Sequence, residues 1–167
     1  MGPDEIRREM DFYAAQPARF EGFLDHGTLT DGVIELVCVL QTPAQPEKKW
    51  VPSYTFEIRV GGARVGETNL RIGFTDGLYY GGHIGYHIDE GHRGHGYAGR
   101  ACKLLAPVMR AHDMTLALIS NDVNNPASRR VCEKIGAKLV RTVAVPEAHD
   151  LYADGLRELN VYEWEVG

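Results

Sequence analysis

A glycine-rich segment near the middle of the chain has the residues of a phosphate-binding loop. Nine of the 19 glycines lie between Gly73 and Gly99, and residues 90–99 read EGHRGHGYAG. The segment separates a predicted strand from a predicted helix, and a helix start offers free backbone N–H groups and a positive dipole end. Glycines let a phosphate approach the backbone closely, and Arg93 adds a fixed positive charge. The segment therefore predicts a pyrophosphate site.

Hydrophobic periodicity predicts the elements that would position this loop. Residues 53–60 alternate, with Tyr54, Phe56, Ile58 and Val60 on one face, as in a half-buried strand. The dipeptide Gly61-Gly62 then predicts a tight hairpin turn. Further strands are predicted over residues 34–40, 63–73, 82–89, 115–120, 137–145 and 159–166.

Helical spacing is confined to a few segments. Residues 98–112 carry an i, i+3, i+4, i+7 apolar stripe, and a second helix is predicted over residues 126–135, with Asn125 as its N-cap and Gly136 at its end. One or two short helices are predicted within residues 3–24, and residues 74–81 and 146–158 are predicted as loops. A largely antiparallel sheet with a central β-α-β-α unit, an α+β (mixed α/β) domain, follows.

Composition narrows the class of protein. The chain has 167 residues, 44% of them apolar, and a formal net charge of −5. This length predicts one domain over residues 1–167, and the acidic balance argues against a nucleic-acid partner. No apolar run approaches the ~18 residues of a membrane span, which argues against a membrane partner. Three cysteines without CxxC spacing favour a reducing, cytoplasmic location.

Two nucleotide-binding patterns compete for the glycine-rich loop. Gly94, Gly96 and Gly99 fit G-x-G-x-x-G, and Asp122 lies about 20 residues on, as in a dinucleotide fingerprint. A dinucleotide domain needs repeated βα units, however, and only one more helix follows the loop. A hairpin also precedes it, so an oxidoreductase is the weaker alternative.

The second pattern, Arg93-x-x-Gly96-x-Ala98, resembles the coenzyme A loop of the GNAT family of N-acetyltransferases. The preceding residues 82–89, GHIGYHID, are similar to that family's central strand. Residues 125–136, NPASRRVCEKIG, are similar to its later N-x-A-S … E-K-x-G motif. The resemblance covers residues 53–145 well; residues 1–50 (helices and a strand) and 146–167 (a loop and a strand) surround this core.

The resemblance implies a fold, a co-substrate and a set of binding residues. The fold has a mostly antiparallel sheet flanked by helices, in which a parallel strand pair splays apart and the pantetheine arm of acetyl-CoA inserts as a pseudo-strand. Backbone groups of Tyr86, His87 and Ile88 would hold the pantetheine and the acetyl carbonyl, and Tyr86 would also act as the oxyanion donor. The implied binding residues are Tyr86, His87, Ile88, Arg93, Gly94, His95, Gly96, Tyr97, Ala98, Gly99, Asn125 and Ser128.

The implied reaction is acetyl transfer to a primary amine of a small molecule or peptide. His83 is the leading candidate for the general base, since imidazole titrates near neutrality. Glu57 and Glu67 are fallback bases acting through water. A metal site is not predicted, because His83 and His87 on one strand would lie about 13 Å apart.

Three further expectations concern the acceptor, the acid and the assembly. Arg71 is a candidate clamp for a substrate carboxylate, although a solvated strand arginine is equally compatible with the sequence. Many family members carry a tyrosine acid where this chain has Cys132, and Tyr152 or Tyr162 would replace it only by folding back. The missing tyrosine keeps a non-catalytic acyl-CoA sensor as an alternative. An exposed last strand would allow a homodimer.

Overall fold

The computed structural model describes residues 2–166, and most of its elements lie where the sequence places them. The helices are α1 Pro3–Ala14, α2 Asp76–Gly81, α3 Tyr97–Ala111, α4 Pro126–Ile135 and α5 Asp150–Ala153. The strands are β1 Leu29–Thr30, β2 Glu35–Thr42, β3 Ser53–Val60, β4 Ala63–Arg71, β5 Ile84–Ile88, β6 Leu116–Asp122, β7 Lys138–Ala144 and β8 Glu158–Glu165. Short 3-10 turns cover Pro46–Lys48 and Glu90–His92.

The strands form two antiparallel sheets. One has the order β1-β2-β3-β4-β5, and the other has the order β6-β8-β7. The β3–β4 hairpin closes with Val60 opposite Ala63, and both turn glycines have positive φ (58° and 84°), as the sequence predicts. Every strand ladder in residues 2–166 is antiparallel. The doubly wound parallel sheet of a dinucleotide-binding oxidoreductase is therefore ruled out, and that alternative is wrong.

A backbone hydrogen bond joins the two sheets near the start of β5. The backbone N–H of His83, just before β5, donates to the carbonyl of Leu118 on β6 at 2.7 Å. Gly82 makes this approach possible: its φ is +78°, and a Cβ there would lie 3.0 Å from the same carbonyl oxygen. Beyond this contact β5 and β6 form no ladder. Their carboxyl ends both lead to the same cleft, so the strands run in one direction and splay apart, as the GNAT-like fold predicts.

Helices cover the sheets on two sides and produce two apolar clusters. α3 packs on the first sheet through a stripe of buried residues that includes Leu105, Val108 and Met109. α1 and α2 pack on the second sheet, where Tyr13 and Tyr79 contribute the buried aromatic rings. Within residues 2–166 no helix has the length and apolar character that a membrane crossing requires.

The loop predicted over residues 74–81 is wrong, because α2 occupies most of it and β5 starts only at Ile84. Gly77 and Gly81 both disfavour a helix in the sequence. Tertiary packing outweighs this preference, since Tyr79 is fully buried and Tyr80 nearly so. In the predicted loop 146–158, α5 supplies one short helical turn.

The amino-terminal region contains one helix rather than two. Residues 15–28 follow α1 without regular structure. Phe20 and Phe23, which look helical in the sequence, instead pack edge-to-face at 4.9 Å, and Phe23 packs in turn on Tyr54 of β3. Burial of these rings therefore holds an irregular segment against the sheet.

Candidate active site

One edge of β5 has backbone groups that are not used by the sheet. The Arg71 N–H donates to His83 O, and the Asp89 N–H donates to Val65 O, so alternate residues of β5 pair with β4. This alternation puts the N–H and C=O groups of His87 in the ladder, opposite Glu67. The backbone groups of Tyr86 and Ile88 point to the other edge, toward the cleft. Of the three residues predicted to hold the pantetheine, two therefore offer backbone groups there, and His87 offers only its side chain.

The loop after β5 leads into a helix start with free donors. Gly96 is the N-cap of α3 with φ +76°, and no side chain caps the first turn. The first backbone hydrogen bond of α3 runs from the Arg100 N–H to Gly96 O. The N–H groups of residues 97–99 therefore have no partner within the helix. No acidic residue lies in this turn. The arrangement suits an anion.

The opposite wall of the cleft is the start of α4. Asn125 is its N-cap, and its side-chain oxygen accepts from the Ser128 N–H at 3.2 Å, so its capping role is present in the structure. The Ser128 hydroxyl forms a 2.7 Å hydrogen bond with the hydroxyl of Tyr86. Burial raises the pKa of Tyr86 well above its usual value. The phenol therefore stays protonated and keeps a proton to share across the physiological range.

A cleft of about 550 Å³ lies between these walls. All twelve residues that the sequence predicts as acetyl-CoA-binding line it. The other lining residues are His92, Ala127, Arg130, Val131 and Lys134.

The cleft is positively charged. Arg93, Arg130 and Lys134 line it together with three histidines, and no lining residue is acidic. Arg93 Nε donates to the carbonyl of Ile88 at 3.0 Å, which fixes this guanidinium beside the end of β5. Sequence reasoning missed Arg130 and Lys134. The only available signal was their i, i+4 spacing, which puts both on the same face of α4.

The structure argues against His83 as the general base. Its Nε2–H donates to Gly73 O at 2.8 Å, and its Nδ1 accepts from the Leu118 N–H at 2.9 Å, so both ring nitrogens are engaged. The ring is buried and lies outside the residues that line the cleft. Burial lowers the pKa of His83 to about 4. His83 instead fixes β5 to β6 at the point where the strands separate, so it positions the cleft.

The fallback bases lie on the polar face of the first sheet, opposite the side that α3 covers. Glu57 and Glu67 face each other across β3 and β4. Glu57 is ion-paired with Arg59 at 2.8 Å, whereas the one ion pair of Glu67 within residues 2–166 is with Arg64, at 3.5 Å. Glu67 is also the one that lies opposite His87 of β5. Of the two carboxylates, Glu67 is therefore the nearer to the cleft and the less constrained.

Cys132 is fully buried, and the side-chain amide of Asn121 donates to its sulfur at 3.7 Å. Burial raises the pKa of Cys132 to about 11. The two tyrosines considered as replacements for the acid do not line the cleft. Tyr152 lies under the guanidinium of Arg157, 3.7 Å from the ring centre, and Tyr162 is buried on β8. The Tyr86 phenol, in contrast, belongs to a residue that lines the cleft and bonds to Ser128 on the same helix as Cys132.

Comparison with known proteins gives the family. The family model described as an acetyltransferase (GNAT) domain matches residues 29–138, more than half of the chain. The chain belongs to the GNAT acetyltransferase family. Membership makes it a transferase of the acetyltransferase class and confirms the family resemblance seen in the sequence. A search of curated proteins found no match.

Several solved structures share this GNAT fold. One is RimL, a ribosomal L7/L12 alpha-N-protein acetyltransferase in complex with coenzyme A (TM-score 0.63, 15% identity, 84% of this chain and 98% of that one). A second, from Salmonella typhimurium, modifies the N-terminal serine of ribosomal protein L7/L12 (TM-score 0.61, 16% identity, 84% and 100%). A third is the microcin C7 self-immunity acetyltransferase MccE with acetyl-CoA and AMP (TM-score 0.54, 18% identity, 68% and 61%). At these identities the likeness concerns the fold.

Proposed function

We propose that this GNAT protein transfers the acetyl group of acetyl-CoA to a primary amine by direct attack on the thioester. The observation that carries the proposal is the convergence on one positively charged cleft of a free strand edge, an uncapped helix start and all twelve residues implied by the family motifs. The solved neighbours RimL and MccE, which bind coenzyme A or acetyl-CoA, support the choice of co-substrate.

Each part of the cleft fits a different part of the co-substrate. The free N–H groups of residues 97–99, with Arg93 beside them, suit the diphosphate. The edge groups of Tyr86 and Ile88 suit the amides of the pantetheine arm, which would add to β5 like a strand. Arg130 and Lys134 extend the positive charge along α4.

Acetyl-CoA supplies an activated acetyl group as a thioester. The nitrogen of the acceptor forms a bond to the carbonyl carbon, the carbon–sulfur bond breaks, and the amine loses one proton while CoA leaves as a thiol or thiolate. In this proposal the Tyr86 N–H donates to the developing oxyanion. The hydrogen-bonded hydroxyls of Tyr86 and Ser128 supply the donor to the departing sulfur. Glu67 accepts the amine proton through water.

Thiol release tests this function. Purified protein is incubated with acetyl-CoA and a panel of primary amines, and both free thiol and acetylated amine are measured. Amine-dependent thiol release with a matching N-acetyl product is the expected result. Binding of acetyl-CoA without turnover on any amine would favour a non-catalytic acyl-CoA sensor, and absence of binding would overturn the proposal.

A further inference from the structure

Arg71 is a half-buried cation without an anionic partner. It ends β4, and its side chain reaches across the start of β5, where Nη1 donates to the carbonyl of Gly82 at 3.1 Å. No carboxylate of residues 2–166 forms an ion pair with it. Burial alone lowers the pKa of this guanidinium, with no opposing charge to restore it. A desolvated guanidinium is costly unless an anion pairs with it, so its position needs a reason.

The carboxylates on the same sheet face are already paired with other arginines. Glu57 pairs with Arg59, and Arg64 lies among three carboxylates, 3.5 Å from Glu67 and 3.4 Å from Asp89. The other arginines on this face of the sheet are therefore paired with carboxylates of the same face. Arg71 is the arginine of this face that is left to bind an anion from outside the chain.

A second unpaired group lies two residues away on the same face. The Asn69 side-chain oxygen is buried and has no hydrogen-bond partner among the described residues. Asn69 lies opposite Gly85, and its amide packs so closely that a Cβ on Gly85 would meet the oxygen at 3.1 Å. Gly85 directly precedes Tyr86, whose N–H faces the cleft. The unpaired oxygen thus lies beside the residue that precedes the proposed oxyanion donor, but the protein encloses it, so the acceptor does not contact it.

We propose that the acceptor amine carries an anionic group and that Arg71 binds this anion. Arg71 pairs with His83, which precedes Tyr86 by three residues or about 10 Å along the strand, so the anion and the amine of the acceptor are separated by several bonds. A carboxylate matches the planar, bidentate geometry of a guanidinium, and a phosphate shares this chemistry. The inference rests on the proposed acetyl transfer and specifies its substrate class.

Matched acceptor pairs test the inference. Glutamate and glutamine, alanyl-glutamate amide and alanyl-glutamine amide, and phosphoethanolamine and ethanolamine each differ chiefly in one anionic group. These pairs represent a free amino acid, a peptide amino terminus and a phosphate ester. Wild type is expected to show a kcat/KM at least tenfold higher for the anionic member of at least one pair. That pair then identifies which of the three kinds of molecule is the acceptor.

Variants assign the preference to Arg71. Arg71→Met keeps most of the length of the side chain and removes the charge, so the preference for the anionic member should fall below about twofold through a higher KM for that member. Arg71→Lys should retain part of it. Arg59→Met, which removes a cation that is already paired with Glu57, is the control and should keep the preference. Equal use of both members of every pair by wild type, or an unchanged preference in Arg71→Met, would overturn the inference.

A binding measurement separates this inference from the proposed function. With CoA present, N-acetylglutamate should stabilise wild type against heat more than N-acetylglutamine does, and Arg71→Met should remove the difference. Turnover of neutral amines only, or equal stabilisation by both products, refutes the anionic acceptor and leaves acetyl transfer intact. Thiol release with no amine at all refutes acetyl transfer, and the stabilisation difference then still decides whether Arg71 binds an anion.

Discussion

The hydroxyl of Tyr86 on β5 lies 2.7 Å from the hydroxyl of Ser128 on α4, so the two walls of the cleft touch through their side chains. At the opposite end of the same gap, His83 fixes β5 to Leu118 of β6. The cleft is thus closed by a backbone contact at one end and bridged by a pair of hydroxyls at the other. This arrangement puts a phenol at the α4 wall, on the same helix as Cys132, the position at which the family resemblance implies a tyrosine acid.

Removal of the Tyr86 hydroxyl should slow the chemical step. In Tyr86→Phe the ring stays, but the hydrogen-bond donor to the leaving sulfur is lost, so kcat should fall about tenfold. The KM for acetyl-CoA should change less than about threefold. Steady-state kinetics of thiol release measure both constants. Tyr97→Phe, at another tyrosine of the cleft, is the control, and a wild-type kcat in Tyr86→Phe would exclude the hydroxyl from the reaction.

The positive charges of α4 should contribute to acetyl-CoA affinity. Arg130→Gln and Lys134→Gln should each raise the KM for acetyl-CoA about two- to fivefold and make it less sensitive to salt. Arg129→Gln is the matched control, because Arg129 pairs with Glu133 and does not line the cleft. Kinetics at low and high ionic strength make the comparison. An equal rise of the KM in Arg129→Gln would show that the total charge of α4, rather than the charges on its cleft face, determines acetyl-CoA affinity.

A tyrosine at position 132 should destabilise the protein rather than improve it. Cys132 is fully buried against Asn121, so the larger ring of Cys132→Tyr would overpack the site and cost about 1–3 kcal/mol. Thermal unfolding without ligand measures this loss, and Cys132→Ala should be tolerated better. A stable Cys132→Tyr variant with increased kcat would show instead that the side chain enters the cleft.

The buried histidine should make the stability depend on pH. The pKa of His83 is about 4 in the folded protein, against about 6.5 in an unfolded chain, so the unfolded state binds more protons between these values. The contribution of neutral His83 to the free energy of unfolding is fully present above pH 6.5. It is lost as the pH falls toward 4, by an amount on the order of 3 kcal/mol.

Denaturant unfolding at several pH values tests this dependence. His83→Gln should be less stable than wild type at pH 7, because the bonds to Gly73 and Leu118 are disturbed, and the difference should shrink toward pH 4. The comparison of the two proteins cancels the acid sensitivity of His26, whose pKa is also lowered by burial. Parallel pH profiles of both proteins would contradict this account of His83.

The loop and its flanking elements were predictable because they depend on local chemistry. Glycines with positive φ at Gly94 and Gly96, an asparagine N-cap at Asn125 and the apolar stripe of α3 are properties of short segments. Each is visible in the sequence without knowledge of the fold.

The role of His83 was not predictable, because long-range packing determines it. The sequence shows a histidine on the central strand, but its partners Gly73 and Leu118 come together only when the two sheets meet. Similarly, the missing partners of Asn69 and Arg71 become visible only once the other charges of the face have paired. Helix α2 was not predictable for the same reason, since burial of Tyr79 outweighs the low helix propensity of the two glycines in α2.

Binding of acetyl-CoA at the glycine loop is the central claim, and Gly96→Val tests it most directly. Gly96 has φ +76°, which a β-branched residue rarely adopts. The valine side chain would also obstruct the approach of the diphosphate to the start of α3. Gly91→Val changes a loop glycine that has no positive φ and does not line the cleft. In calorimetric titrations, acetyl-CoA should bind wild type and Gly91→Val alike and Gly96→Val at least tenfold more weakly. Equal binding by all three folded proteins would contradict the account.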